Sequence, residues 1–169
     1  MIFTRFARET RTSVEAAIEE ARMLGHDSIG DEDLLLGILR ADEGIAAESL
    51  SSLGVTLEDA RDESERMTSE ALSSVGISLE DLRRRAGDAF DVRIPADRRI
   101  PFSPRAKRAL EQALGEARVL GDNRITSEHV LRGILRVDEC TAVRMLARLG
   151  VSPATLEDRM SELRGRAAS

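Results

Sequence analysis

Two short runs hold the residues of this 169-residue chain best suited to recognition chemistry: Gly30-Asp31-Glu32-Asp33 and Thr126-Ser127-Glu128-His129. Each stands at the head of an apolar run with helical spacing, so each reads as the start of a helix, with Asp31 and Ser127 as caps. A helix start offers free N–H groups and the positive end of the helix dipole, which together attract an anion. The Glu beside it can at the same time take a guanidinium. Ordinary capping accounts for the same residues without any ligand.

Other recognisable chemistry is missing. Lys107 is the only lysine and has no glycine-rich neighbourhood, so no phosphate-cradling loop for nucleotide hydrolysis can be drawn. His26 and His129 have no metal-ligand spacing with Cys140, and no Ser-His-Asp or Cys-His constellation assembles. The expectation is therefore a non-enzyme with no metal and no cofactor, showing neither ATP hydrolysis nor peptidase turnover. Cys140 is the single cysteine and cannot form an intramolecular disulfide. It follows Asp138-Glu139, whose charge is expected to raise the thiol pKa and leave it unreactive.

The net charge of −6 argues against a nucleic-acid partner, whose footprint is clustered positive charge. No apolar run approaches the ~18 residues of a membrane span. The start, MIFTRFARET, is too polar for a secretory segment. A cytoplasmic protein with no membrane partner is expected.

The elements that position the two runs are legible from a repeat. Residues 6–55 return without a gap 96 positions later as 102–151, with 22 identities in 50 pairs. Such a repeat means one supersecondary unit burying its apolar face against its twin. Composition is 41% hydrophobic and 33% charged, with Phe3, Phe6, Phe90 and Phe102 the only aromatics, which suits close helix packing more than a sheet. The fold class expected is all-α: two four-helix repeats, 3–61 and 102–166, joined by a helical insert and linker over 62–101.

In the first copy, Phe6, Thr10, Val14, Ala17, Ile18, Ala21 and Leu24 form one helical stripe, stopped by Gly25. Leu34, Leu35, Ile38 and Leu39 form the next, a third helix runs from Gly44 to Leu53, and a fourth begins at Thr56-Leu-Glu-Asp59. The second copy repeats each step. Matching Leu57-Glu-Asp59 to Leu156-Glu-Asp158 gives it three extra residues before its fourth helix. Gly37 and Gly133 fall mid-helix at equivalent places, which predicts a close approach of two helices there. Residues 51–61 are echoed at 73–83, predicting a further helix near Leu79–Phe90, and 91–101, with two prolines, reads as linker.

These runs, with Arg5-Phe6, residues 19–26, Ile29-Gly30, Leu35-Leu36-Gly37 and residues 100–107, resemble the Clp amino-terminal repeat domain that precedes the ATPase modules of ClpA- and ClpC-type unfoldases. The resemblance implies a pseudo-twofold pair of four-helix repeats that recruits protein substrates or adaptors to a Clp protease. It implies phosphoarginine-binding sites at Glu32 and at Ser127, Glu128 and His129, with amides on the phosphate and Glu on the guanidinium. The family motif is Gly-Thr-Glu-His. The second copy keeps its hydroxyl and imidazole, while Asp31 and Asp33 add like charge to the first. The second start is thus expected to bind an anion more tightly. The resemblance also implies a groove for adaptors or cyclic peptides at Phe3, Phe102, Lys107, Leu110 and Glu111, facing Glu15 and Ile18. A stand-alone chain with that groove could sequester such compounds. Core packing is the other reading of Phe3 and Phe102.

Overall fold

In the computed structural model, which describes residues 2–87 and 93–169, the two copies are tied by a reciprocal exchange of backbone. The segment leading into the first copy pairs with the loop of the second: Ala7 N–H donates to Ile125 O at 2.9 Å, and Ile125 N–H to Arg5 O at 2.9 Å. The segment leading into the second copy does the same in the first: Ile29 N–H donates to Pro101 O at 2.8 Å, and Ser103 N–H to Ile29 O at 2.9 Å. Every partner maps onto its counterpart by adding 96. These two parallel bridges, Phe6 with Ile125 and Ile29 with Phe102, are isolated; among the described residues there is no sheet.

Around this crossing the described residues form α1 (Arg8–Leu24), α2 (Asp31–Ala41), α3 (Gly44–Ser52), α4 (Leu57–Ser74), α5 (Leu79–Ala86), α6 (Pro104–Val119), α7 (Ser127–Leu135), α8 (Thr141–Arg148) and α9 (Pro153–Ala167). The all-α double repeat is as the sequence predicts, α1–α4 matching α6–α9 across the insert helix α5. Thr56, Ser78, Ser103 and Ser152 each cap a helix by accepting from the backbone N–H three residues on. Gly25 ends α1 in the left-handed region at φ 73°, where a side chain would be strained. The core is almost wholly aliphatic, Phe6 being its buried aromatic at 1% exposure. A charged clasp repeats too: Glu20 on α1 meets Arg40 at 3.1 Å, and Glu116 on α6 meets Arg136 at 3.0 Å.

Several sequence expectations are corrected. The N-caps are Gly30 and Thr126, one residue before Asp31 and Ser127. The reason is that Asp33 Oδ2 accepts from Gly30 N–H at 2.8 Å and His129 Nδ1 from Thr126 N–H at 2.9 Å, closing each helix start from its third position. Asp31 instead reaches the other copy: its Oδ2 accepts from Ala142 N–H at 2.7 Å and Cys140 Sγ–H at 2.9 Å, capping α8. The fourth helices carry no three-residue insertion, because the caps Thr56 and Ser152 are again 96 apart and Ala60 and Leu156 are both fully buried. Shared Leu-Glu-Asp letters misplace that register; capping and burial decide it. α4 continues to Ser74, so the insert begins inside it. α5 realises the predicted Leu79–Phe90 helix as far as Ala86, Gly87 follows it as C-cap, and Phe90 lies outside the described residues. Cys140 has its pKa pushed up to about 12, first by burial and then by Asp31, where the sequence pointed to Asp138 and Glu139.

The mid-helix glycines sit where helices touch. A Cβ on Gly37 would lie 2.2 Å from Ser13 O, and one on Gly133 2.2 Å from Ala109 O, the equivalent backbone atom of the other copy. Gly37→Ala and Gly133→Ala should each destabilise by about 1–3 kcal/mol through forced separation of α1 from α2 or α6 from α7. Gly115→Ala, in open space on α6, should stabilise by about 0.5–1 kcal/mol. Urea unfolding of the three variants checks this ordering. Asp31→Ala should cost about 1–3 kcal/mol by leaving the buried Ala142 N–H unpaired. The native Cys140 thiol should resist iodoacetamide at pH 8 and become faster to label in that variant.

Candidate functional site

At equivalent places the two copies carry the same three residue types in permuted order: His26, Glu32 and Asp33 in the first, Asp122, Glu128 and His129 in the second. His and Asp have exchanged positions, and the pair survives in both. His26 Nδ1 lies 2.9 Å from Asp33 Oδ1, with Asp33 fully buried. His129 Nε2 lies 3.0 Å from Asp122 Oδ2, at an angle outside hydrogen-bond geometry. Because His129 Nδ1 accepts from Thr126 N–H, the proton of its neutral ring sits on Nε2, facing Asp122.

The two imidazoles are tuned in opposite directions. Burial lowers the pKa of His129, and the Glu128 and Asp122 charges do not reverse it. Burial also pulls on His26, but Asp33, with Glu32 and Asp27, outweighs it and the pKa is raised. Sequence spacing did not show these pairs, since each joins a turn residue to a helix residue seven positions on. The reciprocal His/Asp swap in the aligned copies is the signal that finds them.

The central glutamates differ most. Glu128 is 1% exposed and held by two guanidinium groups: Arg132 Nε and Nη2 reach its Oε1 at 3.1 and 3.0 Å, and Arg164 Nη1 its Oε2 at 3.0 Å. Arg164 Nη2 also binds Asp122 Oδ2 at 2.6 Å. Glu32 forms no ion pair among the described residues. Burial, with the like charges of Asp33 and Asp31, pushes its carboxyl up to about 7. Glu32 faces a cavity of about 340 Å³ shared with His26, Met67, Thr68, Thr141 and Arg144. The second copy's counterpart, about 410 Å³, includes Glu128, Asp122, Thr126, Ile45, Arg164 and Glu9. Ligand-type atoms of His26, Glu32 and Asp33 lie within 4.8 Å of one another, a spacing a metal ion could use.

The helix-start amides are less open than the sequence suggested. Ser127 donates both its N–H and its hydroxyl to Glu9 Oε1, at 3.1 and 3.0 Å, so an internal carboxylate already lies at the start of α7. Of the predicted groove, Phe3 is 41% exposed, its ring centroid 6.1 Å from Phe102 and 5.2 Å from the buried Phe6. Lys107 and Glu111 are exposed on α6, whereas Leu110 belongs to the core.

The profile of the Clp repeat (R) N-terminal domain matches residues 5–71, 62–149 and 101–168. The chain is 40% identical over 164 residues to the chloroplastic ATP-dependent Clp protease ATP-binding subunit ClpA homolog of Brassica napus, covering 97% of this chain and 16% of that protein. It is equally similar to the chloroplastic chaperone protein ClpC1 of Arabidopsis thaliana, covering 15% of it. The chain thus spans about a sixth of the length of these relatives. Its fold matches the N-terminal domain of ClpD from Arabidopsis thaliana with a TM-score of 0.66, at 25% identity over 95% of this chain and 97% of that one. The Hsp104 N-terminal domain of Candida albicans shares the fold alone, with a TM-score of 0.65 at 17% identity, covering 95% and 91%. This chain belongs to the Clp repeat N-terminal domain family.

Proposed function

We propose that the chain is a non-enzymatic protein-binding module of a Clp protease system, recognising substrates or adaptors in the cytoplasm, arginine-phosphorylated proteins among them. The observation that carries this reading is its near end-to-end likeness to one terminal part of much longer Clp subunits. Two solvent-reachable cavities, each built at a helix start around a Glu, supply places for a partner's side chain. A phosphoarginine needs amides for the phosphate and a carboxylate for the guanidinium. Charge alone favours the second start. There, however, the Ser127 amide is engaged by Glu9 and Glu128 by two arginines, so a ligand must first displace internal partners.

A second reading is sequestration of a cyclic peptide, supported by the exposed Phe3 ring beside Phe102 with Lys107 and Glu111 on the same lead-in and helix. Calorimetric titration separates the two. An arginine-phosphorylated protein should bind at least several-fold more tightly than its phosphatase-treated form, and Glu32→Ala or Glu128→Ala should weaken it. Unchanged binding in both variants sinks the helix-start reading. Binding of a cyclic peptide that is lost in Phe3→Ala supports the second.

A further inference from the structure

The exchange of His and Asp between the copies sets two different atoms to one task. In each copy the third residue of the second helix accepts the N–H of the N-cap. In the first it is a carboxylate oxygen of Asp33, at 2.8 Å from Gly30 N; in the second it is ring nitrogen Nδ1 of His129, at 2.9 Å from Thr126 N. A carboxylate accepts with both oxygens and ordinarily titrates far below neutrality. An imidazole accepts only while neutral, and on taking a second proton both its nitrogens become donors. Closure of α7 therefore depends on an unprotonated ring, and closure of α2 does not. In the first copy His26 Nδ1 meets the other oxygen of Asp33 at 2.9 Å and supports that acceptor. Glu32, with its carboxyl pushed up to about 7, takes no part in the closing bond.

His129 is fully buried, and charged groups reach it from several elements. Glu128 lies on its own helix, Asp122 in the turn before it, and Arg164 comes from α9. Glu9 of α1 meets the same helix start at Ser127, and Arg124 lines the cavity beside it. Burial is the largest influence and holds the ring's pKa below its ordinary value. The fold thus selects the neutral ring, so the stability this gives is present above about pH 6.5 and is lost as pH falls through the lowered value. A proton taken up lands on Nδ1, because Nε2 already carries one. It then faces the Thr126 N–H, donor against donor. Thr126 Oγ1, 3.0 Å from Nδ1, can accept the new proton, but the Thr126 amide loses its acceptor. The added charge also sits beside Asp122, whose Oδ2 is 3.0 Å from Nε2 and 2.6 Å from Arg164 Nη2, so ring and Arg164 compete for one carboxylate.

We infer that His129 is a proton-operated latch on the second copy: the neutral ring holds the Thr126 amide and closes the start of α7, and the protonated ring releases it and loosens the cavity wall of Thr126, Glu128, Asp122 and Arg164. The chain then has one helix start that mild acid opens and one that it leaves closed. The latch is a property of the fold and holds whatever the cavity receives.

The chain has only two histidines, so NMR of the imidazole nitrogens in the full chain reads each separately. At neutral pH, His129 should show the tautomer protonated on Nε2. Between about pH 6.5 and 5, the Thr126 and Ser127 amides should lose protection from hydrogen exchange, after correction for the intrinsic rate, by up to about tenfold per pH unit. The amides of Gly30 and Asp31 should keep theirs. His129→Asn, whose side-chain oxygen can accept from Thr126 N–H but gains no proton, should remove the acid response. A ring protonated on Nδ1 at neutral pH overturns the inference without any variant. So does Thr126 protection that is unchanged down to pH 5, or equal loss at Gly30 and Thr126, which is global unfolding. A folded His129→Asn that keeps the acid response assigns it to Asp122 or Glu128 and also overturns the latch. Should that variant fail to fold, the wild-type tautomer and the comparison of Thr126 with Gly30 decide.

Discussion

The reciprocal exchange of lead-in segments is the constraint on which the rest of the molecule hangs. Each copy leaves its Ile29 or Ile125 loop with backbone groups that its own helices cannot satisfy, and the segment before the other copy's first helix satisfies them. Neither four-helix unit is complete alone. Phe6, packed at this crossing, and Ile100 in the arriving second lead-in are buried because the exchange puts them there. Thr10 Oγ1 adds a bond to Ile125 O at 2.7 Å, fixing α1 to the second copy's loop.

Once the crossing is set, helix packing follows from small residues. Gly37 against Ser13 and Ala17, and Gly133 against Ala109 and Ala113, let the first two helices of each copy approach until backbone meets backbone. An aliphatic core with one buried aromatic fills the remainder. Close approach also brings the third position of each second helix beside the turn that precedes it, and the His/Asp pairs form in that corner.

Duplication then lets the copies diverge at one place without losing the frame. In the first, Asp31 spans to the start of α8; in the second, the corresponding Ser127 receives Glu9 from α1. Both carboxylates belong to the first copy, and both sit at helix starts of the second. The glutamates between them separate in character accordingly. Glu128 is a buried ion-pair hub, while Glu32 is desolvated beside like charges and forms no ion pair with an arginine among the described residues.

By itself the sequence determined the helices, their double set and the close approach at Gly37 and Gly133, because periodicity, capping residues and an internal repeat are local or self-referential signals. The pairing of Phe3 with Phe102 and the two helix-start glutamates were singled out as residues through the family likeness. Tertiary structure alone decided where Asp31, Ser127 and Glu9 send their oxygens, and that the Leu-Glu-Asp match hides a gap-free register. It also decided that residues near Pro101, read as a linker, are half of the crossing. These depend on groups separated by about a hundred positions whose pairing leaves no periodic trace. The partners of Glu128 were hidden for the same reason: Arg132 lies a turn away on the same helix, but Arg164 arrives from α9, and only packing shows that a guanidinium lines one copy's cavity where the other has a threonine.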